Sequence, residues 1–318
     1  MRDGCLLIHK QAGMTSFDVV AKLRRLLSAK TGVAKKALPA MGHGGTLDPF
    51  ATGLLVVCIG EGTKLSRYFL GSTKEYRGVI RFGQTTVSGD CTEPANETTS
   101  TLPASLEVIQ QSARSFCASP GNDPYLQIPP MHSAKKVGGQ VLHELARKGI
   151  EIERKPVPCL IEDFEIESYT PPKATFCVRV SAGTYIRVLA QDLAKRLGSL
   201  ACLETLERTA SGRFKLEDAM TLAQIEACTG SWDGLSAFVP FDRMLDGKPE
   251  LTLDAEQVKL LRNGRVDYIS ELKARLRRDF GELGHVVIRH GDGRIVAVFS
   301  SEPGVSGFKL DRVFGSYA

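Results

Sequence analysis

The 318-residue chain is 42% hydrophobic and 24% charged, with a formal charge of +5 and a pI near 8.7. That content supports a real core and suits one large domain plus a small one, while the mild basicity permits a polyanionic partner without requiring it. No apolar run approaches the length of a membrane span, and no secretory leader precedes Cys5. The eight cysteines lie far apart, with neither C-x-x-C nor a Cys/His cluster of zinc spacing. They predict reduced thiols in a cytoplasmic protein with no metal and no organic cofactor. Charge is unevenly spread: upstream of Asp48, seven basic residues from Lys10 to Lys36 face only Asp3 and Asp18. Phosphate contact and a solvated helix face both account for that bias.

In chain order, Leu6-Leu7-Ile8 predicts a short strand turned at Gly13. Thr15 with Asp18 forms a capping pair at a helix start. Phe17, Val20, Leu23 and Leu27 then repeat at helical spacing and predict a core face. Residues 30–40 form a loop leading into Gly42-His43-Gly44-Gly45-Thr46-Leu47-Asp48-Pro49-Phe50-Ala51-Thr52-Gly53. Its glycines admit positive φ and close approach of a ligand, and Pro49 restricts Asp48 to extended backbone. The run Leu54 to Ile59 reads as a buried strand. Asp48 is therefore either a catalytic carboxylate on a stiffened loop or a helix N-cap followed by Pro at N1. No Lys-Ser/Thr follows the glycines, which excludes a Walker loop. No G-x-S-x-G accompanies His43-Gly44-Gly45, which excludes an α/β-hydrolase oxyanion loop.

Residues 64–70 read as helical, Lys74 to Gly83 as a strand, Glu93 to Ala104 as a loop and Leu106 to Phe116 as a helix. By composition alone Tyr76 is a strand tyrosine, and the mixed charges between Val137 and Arg154 are a solvated helix face. Lys173 to Ser181 alternates as a strand and leads into Gly183-Thr184-Tyr185-Ile186-Arg187 and an amphipathic helix carrying Leu189, Leu193 and Leu197. Thr229 to Glu250, rich in Pro and Gly, reads as a linker. Beyond it come a short helix near 256–262, a basic segment Lys273 to Arg278, and a hairpin signal around Gly291-Asp292-Gly293.

The stretch from Gly42 to Gly53 resembles the motif G-H-x-G-T-L-D-P-x-A-T-G of pseudouridine synthases of the TruB type. Other segments agree in order. Lys74-Glu75-Tyr76 resembles the family's K-x-Y, Gly183 to Arg187 its G-T-Y-I-R, and Leu203 to Phe214 its L-x-x-L-x-R-T-x-x-G-x-F. The chain departs from the family pattern at Gln11, Val87, His132 and Lys135. The resemblance implies a tRNA pseudouridine synthase acting on uridine 55 of the T-loop. Asp48, Tyr76 and Arg187 would be catalytic, with Arg187 paired to Asp48. His43, Gly45, Leu206, Lys136 and Arg208 would bind substrate, and Asp90 would be structural or RNA-facing. It also implies an RNA-binding, thumb-like insertion at about 124–155.

The expected fold is α+β: a catalytic domain at 1–228 around a mixed, largely antiparallel sheet with flanking helices. A linker at 229–250 and a small PUA-like β-barrel at 251–318 would follow. The expected partner is the T-arm of tRNA, bound by a monomer. Two other classes remain: a tRNA-binding and folding protein whose catalysis is incidental, and the synthase subunit of an RNA-guided particle.

Overall fold

The computed structural model describes residues 2–118, 124–131, 133, 136–137, 140–142, 145, 149–229, 231–281, 284–301 and 307–315; at 136, 137, 140 and 141 it describes the backbone. His132, Lys135, His143, Arg147 and Lys148 lie outside the described residues, as does the Lys136 side chain. The chain divides into two compact units, 5–238 and 239–318 with 1–4. The division falls inside the stretch read as a linker, where Trp232, Ala237, Phe241, Met244 and Leu245 are all buried.

In the first unit the longer elements are β1 (Gly4–Lys10), α1 (Ser16–Thr31), β2 (Met41–His43), β3 (Thr52–Ile59), α2 (Ser66–Leu70), β4 (Lys74–Phe82), α3 (Leu106–Arg114), β5 (Tyr125–Gln127), β6 (Val157–Cys159), β7 (Ile161–Thr170), β8 (Lys173–Val180), α4 (Ile186–Arg196) and β9 (Ala201–Ser211). The main sheet runs β7-β8-β4-β9-β3-β1, with β2 on β3. Its pairings are antiparallel from β7 to β9 and parallel between β9 and β3. The mixed, largely antiparallel sheet is therefore as expected. Strand β3 is a continuous apolar run because it is buried along its whole length from Gly53. Helices α1, α3 and α4 turn Val19, Leu23, Ile109, Leu189 and Leu193 inward.

The Thr15/Asp18 pair does form a capping box, each side chain bonded to the other residue's backbone N–H. The apolar stripe of α1 is corrected at its first position, since Phe17 is 73% exposed. Ser16 takes the buried place in the first turn because its hydroxyl brackets Leu47, accepting from the amide at 2.8 Å and donating to the carbonyl at 3.2 Å. The expectation of free thiols throughout is also corrected: Cys91 and Cys202, 111 residues apart, form a disulfide. It ties the loop at 86–91 to β9, where the Cys91 amide also donates to Leu203 O.

In the second unit, strands β10 (Glu250–Leu253), β11 (His285–His290), β12 (Ile295–Ser300) and β13 (Lys309–Val313) form a four-stranded sheet in that order. Helices α5 (Ala255–Arg262) and α6 (Val266–Phe280) pack Val258, Leu261, Leu272 and Leu276 into its core. The hairpin at Gly291–Gly293 joins β11 to β12, and the basic segment at 273–278 lies on α6. Among the described residues this sheet does not close into the expected barrel.

Register fixes what faces the loop at 44–51. Tyr76 on β4 lies opposite Arg208 on β9, and Arg208 lies opposite Gly53 on β3. Gly53 has φ +102°, and a Cβ there would sit 2.4 Å from the Arg208 carbonyl oxygen. Gly53→Ala should therefore destabilise the protein by more than about 2 kcal/mol, through backbone strain and a clash that no rotamer relieves. Urea unfolding would read this as a lower midpoint.

Candidate active site

Asp48 is not a helix N-cap. Residues 44–51 form an irregular loop between β2 and β3, in which the Ala51 amide donates to the Asp48 carbonyl at 3.1 Å. The loop is held from beneath by groups far away in sequence. Buried Arg208 donates to Gly45 O (3.1 Å), Thr46 O (3.4 Å) and Leu54 O (2.8 Å). Buried Lys10 donates to Pro49 O (3.2 Å), Met14 O (2.7 Å) and Gln11 O (3.0 Å). With Ser16 on Leu47, three consecutive loop positions and Pro49 have fixed partners, and the Asp48 side chain projects from a rigid base.

Its carboxylate meets Arg187, at the start of α4, in a two-pronged pair. Nε donates to Oδ2 at 2.8 Å and Nη2 to Oδ1 at 3.2 Å. The remaining nitrogen, Nη1, donates to the Ser88 carbonyl. The Arg187 side chain is 4% exposed and that of Asp48 is 34% exposed. The guanidinium is thus sealed behind the carboxylate, which keeps a face open to the cavity. A planar fork fixes the carboxylate in direction as well as charge.

That cavity has a volume of about 340 Å³. Of the residues expected in the site, Asp48, Tyr76, Gly45, Leu206 and Arg208 line it together. Arg187 reaches it through Asp48. His43 lies on β2, outside the lining; burial, then nearby Arg208, lowers its pKa and favours the neutral ring, and its Nδ1 is buried without a bonding partner. The register supplies the pocket wall, since Leu206 faces Gly78, where a Cβ would sit 2.3 Å from Thr205 O. Asp90 is buried: it accepts from the Thr92 amide at 3.1 Å, and its carbonyl accepts from Thr86 at 2.7 Å.

The sequence reading missed Lys10, Lys74 and Tyr185 as site residues. Lys74 and Tyr185 stand inside matched segments, but a lone lysine beside apolar residues, as at Lys10 and Lys74, gives no sign that it will be buried. Lys74 donates to Phe69 O (2.6 Å), Leu70 O (2.9 Å) and Ser72 O (2.6 Å), closing the turn before β4. Tyr185 lines the cavity, and burial raises its phenol pKa.

Burial, reinforced by Arg208, lowers the Lys74 pKa from 10.5 to about 8. The unfolded chain therefore binds more protons than the folded one between about pH 8 and 10.5. The Lys74 contribution to stability must then rise with pH across that window. The stability of wild type minus that of Lys74→Met, from urea unfolding at pH 8 and pH 10, should increase; a flat difference would show an unperturbed amine.

The family model for TruB family pseudouridylate synthase (N terminal domain) matches residues 30–186. Among curated relatives, "tRNA pseudouridine synthase B" of Thiobacillus denitrificans is 41% identical over 83% of this chain and 83% of its own. The protein of the same name from Bacillus velezensis is 35% identical over 96% of each. Among solved structures, a chain of a Cbf5-Nop10-Gar1 complex shares the fold at TM-score 0.69 and 21% identity, covering 98% of this chain and 84% of that one. On these matches the chain belongs to the TruB family of pseudouridylate synthases, enzymes of the isomerase class.

Proposed function

We propose that this chain converts uridine 55 in the T-loop of tRNA to pseudouridine, with Asp48 as the catalytic carboxylate. The observation that carries the reading is the forked Arg187–Asp48 pair beside a cavity walled by Tyr76 and Leu206. The names of the curated relatives support tRNA as the substrate.

The isomerisation breaks the N1–C1′ bond, turns the uracil and forms a C5–C1′ bond; the C5 proton is lost and N1 gains one. It is redox-neutral and needs no group donor. Asp48 acts at the sugar, as nucleophile at C1′ or by taking a proton and stabilising positive charge there. Arg187 aims it. The Tyr76 ring stacks on the detached base and its hydroxyl takes the C5 proton, while Leu206 closes the apolar wall. A stacked loop base must first be extruded, at about a few kcal/mol. His43 fills the vacated place in the stack, as a neutral ring suited to it. The insertion at about 124–155, with Lys136, Arg147 and Lys148, and a PUA-like second unit hold the RNA outside the site, chiefly through phosphates. The enzyme works as a monomer in the cytoplasm.

Pure protein incubated with an unmodified T-arm transcript should place pseudouridine at position 55 without any guide RNA. A requirement for a guide would move the chain to the RNA-guided class, and binding without product would make it a folding factor. Asp48→Asn keeps size and polarity but removes the charge. It should abolish tritium release from C5-labelled uridine while tRNA affinity stays within about threefold, the split expected of a group acting only on the reacting centre.

Arg187→Lys keeps a cation but loses the fork. It should slow single-turnover formation of pseudouridine by roughly a hundredfold, the scale of a small misplacement of a reacting group, with far less change in affinity. Equal losses in rate and affinity would instead mark Arg187 as an RNA contact.

A further inference from the structure

Helix α4 begins in an unusual way. Its N-cap is Tyr185, not Ser, Thr, Asp or Asn; no side chain caps it from within, and no acidic residue lies in its first turn. Arg187 is the second residue of that turn, so its reach to Asp48 depends on how the helix start is held.

What holds it comes from β5, 58 residues earlier. Gln127 is 1% exposed, and its carboxamide brackets the Tyr185 backbone on both sides. Oε1 accepts the Tyr185 N–H at 2.7 Å, and Nε2 donates to the Tyr185 carbonyl at 3.0 Å. The second Nε2 hydrogen goes to the Tyr125 hydroxyl at 3.2 Å, whose own proton is donated to Asp192 of α4. The carboxamide therefore makes three bonds, and their donors and acceptors admit only this orientation. Pairing of Gln127 with Val157 on β6 fixes the strand that carries it.

We propose that Gln127 is a positioning residue for the isomerisation. It clamps the backbone of the N-cap residue itself, holds the Tyr185 ring in the cavity wall and aims Arg187 at Asp48. The inference rests on the reading of Asp48 and Arg187 given above. The hydrogen bonds of Gln127 go to Tyr125 and Tyr185, not to the reacting carboxylate or the guanidinium. Its effect is transmitted through the peptide of Tyr185, two residues before Arg187.

Two substitutions separate this role from general support of the fold. Gln127→Leu keeps bulk and removes all three bonds. Gln127→Glu keeps the shape and makes the bonding depend on protonation. A neutral carboxyl can both accept from the Tyr185 amide and donate to its carbonyl. A carboxylate can only accept, and it would face that carbonyl, with Tyr125, Tyr185, Asp192 and Cys159 as the titratable neighbours. Burial favours the neutral form as pH falls.

The measurements are single-turnover pseudouridine formation at saturating T-arm RNA, RNA affinity, and amide hydrogen exchange of the peptide spanning 183–189. Gln127→Leu should lose about a hundredfold in rate, keep affinity within about threefold, and exchange faster in that peptide. Gln127→Glu should resemble it at pH 8 and approach the wild-type rate and protection, measured at the same pH, by pH 6. Wild-type rate and protection in Gln127→Leu would overturn the proposal. So would a Gln127→Glu deficit that does not shrink with falling pH. Hydrogen exchange needs no turnover, so it tests the clamp even if wild type forms no pseudouridine, an outcome that would instead sink the functional reading.

Discussion

The pair between Asp48 and Arg187 is the interaction on which the catalytic unit turns. It joins residues 139 positions apart and leaves one partner sealed and the other facing the cavity. A sealed guanidinium demands a full set of acceptors, because an unpaired buried charge is far costlier than a broken surface pair. That demand draws three separate segments together: the loop carrying Asp48, the loop whose Ser88 carbonyl takes the third nitrogen, and the start of α4. The Cys91–Cys202 disulfide and the backbone bonds of Leu203 with Gly89 and Cys91 hold the second of these to the sheet. The same demand leaves little room beside Arg187, and a Cβ at Gly89 would come within 3.2 Å of the arginine's own Cβ.

Around this pair the protein orders irregular backbone with buried cations rather than with secondary structure. Lys10, Lys74 and Arg208 are each almost wholly buried, and together they collect carbonyl oxygens from three turns and loops and from Leu54 of β3. Carbonyls in loops have no ladder to satisfy them, and an unpaired one in the interior is expensive. A cation that donates to several at once solves that problem and also places positive potential beneath the cavity, which suits a phosphate-bearing substrate. The cost is visible in the two lysines, whose charged forms burial disfavours.

The second unit solves a smaller version of the same problem. Arg289, 8% exposed, takes Glu250 at 2.7 Å and Asp246 at 2.9 Å, and donates to the carbonyls of Asp242 and Gly293. One guanidinium thereby ties the entry to β10, the segment before it and the β11–β12 hairpin. The apolar core beneath, built from α5, α6 and the sheet, is independent of that network.

The sequence by itself determined the elements with strong local periodicity or turn chemistry: the capped helix at Thr15, the apolar run of β3, the helix after Arg187 and the hairpin at Gly291–Gly293. It also pointed to Asp48, Tyr76, Leu206 and Arg187, because whole motifs stand intact in order. Local information could not settle the rest. Asp48-Pro49 fits a helix cap and a catalytic loop equally well, and only the contacts of Lys10, Ser16 and Arg208 decide against the helix. Phe17 has the right spacing for the core, yet Ser16 is taken inward because its hydroxyl has a partner on the Asp48 loop. Cys91 and Cys202 share no motif and meet only because the loop at 86–91 lies along β9. Gln127 has no visible purpose until the fold brings Tyr185 against it. Periodicity and capping act over a few residues and can be read along the chain, whereas buried charges and carboxamides are satisfied by partners that tertiary packing delivers.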